Sequence, residues 1–271
     1  MFAKTSSAFR RIEAKRRGRR RPAIAALICA LAISAIGGGA CAANRDALWE
    51  IVHGLCVLHK VEADNPAPCA AVDLAGGEEA GSAVVKDLIG RTQFLLIPTR
   101  RLTGIEEPLV GTAALPNYWR LAWAARGFVA LRAQKELPRD AIGMAINATG
   151  SRTQDQLHIH VDCIRPDVRN ALSVRMPEIT SKWADLPVSL AGRVYRARWI
   201  DGAEPEPDPF VLLADDARAS GTPMRDETLA VVGARRPDGK EGFILLAYRA
   251  IAGGRAHAED LLDHSCALAA K

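Results

Sequence analysis

Five arginines, Arg16, Arg17, Arg19, Arg20 and Arg21, stand directly before a run from Pro22 to Ala43 that holds no charged residue. Nothing else in the chain limits its folding so strongly. As a single hydrophobic helix the run has just the roughly 20 residues needed to cross a hydrocarbon core. Its strongly apolar part, Ala23 to Ile36, is closer in length to the core of a signal peptide. The positive flank predicts residues 1–21 as a basic cytoplasmic tail, residues 22–43 as a membrane anchor or signal segment, and residues 44–271 as one exported domain. A retained anchor is favoured over cleavage after Ala40-Cys41-Ala42. Gly38, three residues before Cys41, ranks lipid attachment last. All three fates export the domain.

The charge balance follows the same division. The formal net charge of +5 invites a nucleic-acid reading, but residues 1–21 carry nine Lys or Arg against Glu13 alone. Removing these from the totals of 36 basic and 31 acidic residues leaves 27 and 30, so the remainder is net about −3. Without a basic excess, counterion release supplies little phosphate affinity, and nucleic acid is excluded as a partner.

Export also changes how the cysteines read. Cys29 and Cys41 belong to the N-terminal segment, which leaves Cys56, Cys69, Cys163 and Cys266. An even number in an oxidising compartment suggests disulfides, and four cysteines allow three pairings. Cys56–Cys69, a short local loop, and Cys163–Cys266, tying the last helix to the sheet, are favoured. No Cys-x-x-Cys pair supports a metal site, and buried free thiols remain the alternative.

Along the exported chain, Leu48, Ile51, Val52, Leu55 and Leu58 recur at helical spacing and predict an amphipathic helix from Arg45 to Lys60. Glu62 to Gly81 reads as a loop. Strands are predicted at Ser82–Lys86, Gln93–Pro98, Ala141–Asn147, Gln156–Ile164, Thr228–Gly233 and Gly242–Tyr248, with a strand pair within Pro187–Ile200. Asn117 to Leu131 is a helix, with Trp119 and Trp123 on its buried side, and Ala258 to Ala270 a closing helix. Phe210–Leu213 reads as a strand or a helix start. Hairpin-connected strands with few helices predict an α+β fold, an antiparallel sheet with packed helices.

The chemistry concentrates in Gln156-Leu157-His158-Ile159-His160-Val161. Alternate side chains of a strand point to opposite faces, so Gln156, His158 and His160 line one face and the apolar residues enter the core. The histidine α-carbons then lie about 7 Å apart. Neutral imidazole is nucleophilic near pH 7 and leaves readily once phosphorylated. The same spacing also suits half a zinc site, or two polar residues without a role. No third ligand is evident beside the two histidines. The turn just upstream, Asn147 to Thr153, offers amides and hydroxyls for phosphate oxygens.

The segment resembles the histidine-triad motif, His-φ-His-φ-His-φ-φ with φ apolar, of nucleotide hydrolases and transferases. Residues from about 46 to 268 resemble the bacterial CDP-diacylglycerol pyrophosphatase family. The resemblance rests on Val85-Lys86-Asp87-Leu88, Phe94-Leu95-Leu96-Ile97-Pro98-Thr99 with Arg101, and Leu121-Ala122-Trp123-Ala124-Ala125-Arg126. It continues through Ala145-Ile146-Asn147 and, most specifically, Leu157-His158-Ile159-His160-Val161-Asp162-Cys163-Ile164-Arg165-Pro166-Asp167-Val168. The four exported cysteines also fall where that family has them.

The resemblance implies a histidine-triad-like fold at the periplasmic face of the inner membrane, with a lipid nucleotide as substrate. It implies cleavage of CDP-diacylglycerol by water to CMP and phosphatidate without metal or cofactor. His158 would attack the phosphorus next to cytidine, giving a cytidylyl-histidine intermediate, and His160 would hold phosphate oxygens or protonate the leaving group. Gln156 departs from the motif, which has histidine there; it can still hydrogen-bond but not titrate. Asn147, Ser151 and Thr153 are candidates for phosphate and ring-orienting contacts. Arg152 competes between a pyrophosphate clamp and a solvated turn arginine. Lys86, Arg101 and Arg165 are candidate partners for the anionic phosphates. Two other readings stay open: turnover of soluble nucleotide diphosphate derivatives, and an exported metal- or lipid-headgroup-binding module.

Overall fold

The computed structural model describes residues 44–251 and 254–270. The expected tail and anchor, residues 1–43, lie outside them. No helix among the described residues is long and apolar enough to cross a membrane.

The fold is α+β, with ten antiparallel strands in one sheet. These are β1 (Ala71–Asp73), β2 (Ser82–Lys86), β3 (Phe94–Pro98), β4 (Ile142–Ile146), β5 (Ile159–Ile164), β6 (Ala184–Leu190), β7 (Arg193–Asp201), β8 (Glu227–Arg235), β9 (Glu241–Arg249) and β10 (Leu262–Asp263). Their order is β1-β2-β3-β5-β4-β8-β9-β7-β6, and β10 pairs with β5 beside that path. β5 is thus central, with Leu95 of β3 and Ala145 of β4 flanking His160.

The period-two pattern sorts the layers. On one face Phe94, Leu96, Met144, Ile159, Val161, Val231 and Phe243 pack beneath α3 (Tyr118–Ala133) and α5 (Pro209–Ala219). Trp119 and Trp123 are core residues, against Phe210 and Phe243 respectively. The other face is covered in two separate patches. An N-terminal helix packs on Ala83, Leu95 and Ile97. It runs as α1 (Ala47–Ile51), a π-helical stretch Val52–Val57, and α2 (Leu58–Ala63). At the other end α4 (Pro166–Arg175) packs on Tyr195, Val232 and Leu246. His160 sits where these two patches leave the sheet uncovered.

Three departures from the sequence reading, and one choice that it left open at Phe210, have physical causes. β1 lies in the predicted loop, as three residues paired with β2. α4 follows β5 at once, started by Pro166 at its first turn with Asp167 beside it and closed near Arg175, the signals a helix dipole favours. The Phe210 segment is a helix, because the Asp208 carboxylate accepts from Phe210 N at 2.8 Å and Pro209 occupies the first turn. The closing helix does not form. Ala258–Leu261 and Ala267–Ala269 are single 3-10 turns, and between them β10 pairs Leu262 with Ile164 and Asp263 with Cys163. Ladder pairing and a covalent link to β5 override the local helical preference.

Both favoured disulfides are present, Cys56–Cys69 and Cys163–Cys266. They close loops of 13 and 103 residues. By loop-closure entropy these are worth about 3 and about 4.7 kcal/mol. Because residues 254–270 are held by the second bond, Cys266→Ser is expected to lower the melting temperature more than Cys56→Ser. Reductant should collapse the difference between wild type and each variant. Thermal melts with and without reductant check this, and identical oxidised and reduced melts would contradict it.

Candidate active site

The gap between the two patches holds a cavity of about 760 Å³ with His158 and His160 in its wall. β5 begins at Ile159, so His158 stands one residue ahead of the strand and His160 within it. Both are buried, with ring centroids 5.0 Å apart and planes at 69°. His158 Nδ1 lies 2.6 Å from the backbone oxygen of Gln156. A carbonyl can only accept, so Nδ1 carries the proton and Nε2 is left with its lone pair. Burial pushes the His158 pKa down from its usual 6.5, outweighing the Gln156 bond and the carboxylates Glu259 and Asp87. The ring is therefore held neutral, in one tautomer, beside the cavity.

Gln156 itself takes no place in the cavity wall. Its side chain is fully buried, donates to Pro98 O at 3.0 Å and Arg100 O at 2.9 Å, and accepts from Leu102 N at 3.3 Å. Because the strand starts only at Ile159, the expected alternation does not reach back to it. The first motif position is a clamp that fixes the carbonyl on which His158 leans.

His160 has a different partner. Its Nδ1 is 3.2 Å from Glu259 Oε1 and 4.0 Å from Asp87 Oδ2. The amide of Gln93 lies between the acids and donates to Asp87 at 2.6 Å and to Glu259 at 3.1 Å. The amide nitrogen also lies 3.2 Å from His160 Nδ1, but with its two hydrogens directed to the acids, His160 Nδ1 presents its own proton to Glu259. Nε2 is then bare and, although buried, has no partner among the described residues. Burial holds the His160 pKa well below its ordinary value, against the pull of Glu259. Burial alone would raise the Glu259 pKa; His160 and the bonds from Gln93 and Asn147 bring it below the ordinary carboxylate value. Asn147 Nδ2 donates to Glu259 Oε2 at 3.1 Å, and Asn147 Oδ1 accepts from Glu259 N at 3.3 Å.

Of the other candidates, Asn147, Ser151, Thr153, Arg152 and Lys86 line the cavity. Ser151 Oγ accepts from Ala256 N at 2.9 Å, tying the turn to the C-terminal segment. Arg152 is neither solvated nor free to clamp. Its buried guanidinium donates twice to Glu106, both at 2.6 Å, and to Asp155 at 3.0 Å. Lys86 Nζ donates to Asp87 O at 2.6 Å and Gly90 O at 2.9 Å. Arg101 pairs with Asp46 over the ring of Trp49, and Arg165 pairs with Asp167 at 2.8 Å; neither lines the cavity.

Four residues escaped the sequence reading: Asp87, His257, Glu259 and His264. His264 Nδ1 lies 3.2 Å from the buried Asp162, and that hydrogen bond raises the His264 pKa from its usual 6.5. Asp87 stood in a stretch quoted for the family resemblance, whereas Glu259 reaches His160 only through the fold. The fold gathers two carboxylates around one of the two histidines, without His158. Asp87, His160 and Glu259 have ligand atoms within 4.8 Å of one another. The Gln93 amide occupies the position between the two acids.

Comparison with known proteins shows the family of the chain. The sequence profile of the CDP-diacylglycerol pyrophosphatase family matches residues 43–270. The CDP-diacylglycerol pyrophosphatase of Yersinia pestis is 42% identical over 226 residues, 82% of this chain and 84% of that protein. With all but the N-terminal segment and the last residue matched by the profile, the chain belongs to the CDP-diacylglycerol pyrophosphatase family.

Proposed function

We propose that this chain hydrolyses the pyrophosphate of CDP-diacylglycerol to CMP and phosphatidate, with His158 as nucleophile. The observation that carries the reading is the 2.6 Å contact from His158 Nδ1 to Gln156 O in a buried ring. It leaves the Nε2 lone pair ready at neutral pH. Nε2 attacks the phosphorus next to cytidine, the bond from that phosphorus to the bridging oxygen breaks, and phosphatidate departs with the electron pair. The Nδ1 proton stays on the ring, hydrogen-bonded to the Gln156 carbonyl, whose oxygen stabilises the positive charge of the cytidylyl-imidazole. Water then attacks the same phosphorus, the N–P bond breaks, and CMP leaves.

His160 serves the second step. In its neutral form Nε2 has no proton to donate, so it suits the base that takes a proton from water. Glu259 stabilises the imidazolium that forms. This role replaces protonation of the leaving group. The partly wet rim with His264 and the Asn147–Thr153 turn supplies donors to phosphate oxygens. Family membership supports the lipid nucleotide as substrate over soluble derivatives. The arginines before residues 22–43, together with two disulfides, support a domain tethered to the periplasmic face of the inner membrane.

Incubation with CDP-diacylglycerol labelled on the cytidine-side phosphate, quenched in alkali, is expected to leave label on wild type and none on His158→Ala. The variant should melt within a few degrees of wild type. CMP release at an undiminished rate from that variant would remove His158 from the mechanism, and turnover of CDP-glycerol alone would move the substrate to soluble nucleotides. A second expectation concerns pH. The reactive form is the neutral ring and burial lowers its pKa, so kcat/KM should hold as pH falls past 6.5 and decline only below it. An acid limb at or above 6.5 would contradict this. Third, His160→Ala should cut kcat by about 10²–10⁴. Glu259→Gln should cut it less, with label accumulating because attack outruns hydrolysis in rapid-quench time courses.

A further inference from the structure

Beside the histidines, the same cavity is bordered by a feature the chemistry above does not use. The β2–β3 turn ends in Leu88 and Ile89, which are 101% and 64% exposed. Exposed leucines are common on protein surfaces, but this pair sits on a turn that polar groups hold firmly in place. Lys86 Nζ donates to the oxygens of Asp87 and Gly90, and Ile89 N donates to the Asp87 carboxylate at 3.0 Å. Arg91 N donates to His264 O at 2.9 Å. Gly90 has φ +76° and lies so close to His264 that a Cβ there would sit 2.8 Å from the His264 Cβ. The two apolar side chains are thus aimed outward by a rigid support rather than left loose.

The turn is joined to the reacting groups through Asp87, whose other oxygen faces Gln93 and His160. Leu48 and Ile51 of α1 and Leu95 of β3 line the same cavity, giving it an apolar side apart from the polar one at Asn147, Ser151 and Thr153. Three residues separate α1 from the end of the uncharged run at Ala43. Two exposed cations, Arg91 and Arg132, stand behind the turn, with Arg132 Nε donating to Arg91 O at 3.5 Å. An apolar tip backed by cations is the pattern that suits anionic lipid at a bilayer surface.

We propose that the Leu88–Ile89 tip, together with Leu48 and Ile51, is the acyl-chain subsite of the cavity. The chains of the lipid lie along it while the pyrophosphate reaches the histidines. This inference rests on the lipid-nucleotide reading above, and it names the residues that would distinguish a lipid from its soluble head group.

The test uses the full chain in detergent micelles. CDP-diacylglycerol with a diazirine in one acyl chain is photolysed on His158→Ala, which keeps the lipid uncut, and labelled peptides are mapped by mass spectrometry. Label at Leu88 or Ile89 and at Leu48 or Ile51, displaced by excess unlabelled lipid, is expected. Label confined to residues 22–43 or to other surfaces would overturn the proposal. In the cleaving protein, the double variant Leu88→Ser/Ile89→Ser should lose at least about tenfold more kcat/KM on CDP-diacylglycerol than on CDP-glycerol. Equal losses on both would also overturn it. Absence of CMP from CDP-diacylglycerol with wild type would instead fail the proposed reaction, while the labelling still decides where acyl chains bind.

Discussion

Antiparallel pairing of β5 on both of its edges is the constraint from which the rest of the molecule follows. Between β3 and β4, Ile159, Val161 and Cys163 have no choice but to enter the core beneath α3 and α5. His160 and Asp162 must then point to the opposite face. A slip of one residue would bury both polar side chains among tryptophans and expose three apolar ones. Hydrophobic burial therefore sets the position of His160, and the site inherits the rigidity of the sheet.

That opposite face is usable only because its coverings stop short of β5. A half-buried carboxylate facing histidines is costly unless its oxygens are occupied. Glu259 meets this condition through Gln93, Asn147 and His160, each from a different strand or its flank. Asp162 meets it through Thr92, its own neighbour Cys163, and His264. Acids and imidazoles alternate across the cavity, and Arg152 is withdrawn from it by Glu106. Burial lowers the pKa of the two inner rings, while the bond to Asp162 raises that of the outer one.

Much of this was legible in residue order, because it is local. Strand periodicity at Ser82–Lys86 or Thr228–Gly233, and the helix with Trp119 and Trp123 inside, depend on neighbours a few positions away. So does the alternation of His158, Ile159 and His160. What was misread depends on distant partners. The C-terminal segment looks helical until β5 offers a ladder to Leu262 and Asp263. Arg152 looks like a turn arginine until Glu106 arrives from another loop. Glu259 carries no local sign of its role, since four strands separate it in sequence from the histidine it serves. α4 is the exception: Pro166, Asp167 and Arg175 announced it locally and went unread.

The two disulfides join the four described cysteines in the order in which they occur, first with second and third with fourth. On the proposed export route, a chain threaded N-terminus first into an oxidising compartment would meet its correct partner each time by taking the next thiol to appear. An oxidant alone can then produce the native pairing, with no isomerase to undo errors. The cost of the arrangement falls on the second bond. Cys163 waits, at synthesis rates of about 5–20 residues per second, some 5–20 seconds for its partner. Until the final turn arrives, the sheet lacks the segment that brings Glu259 and His264 to the histidines.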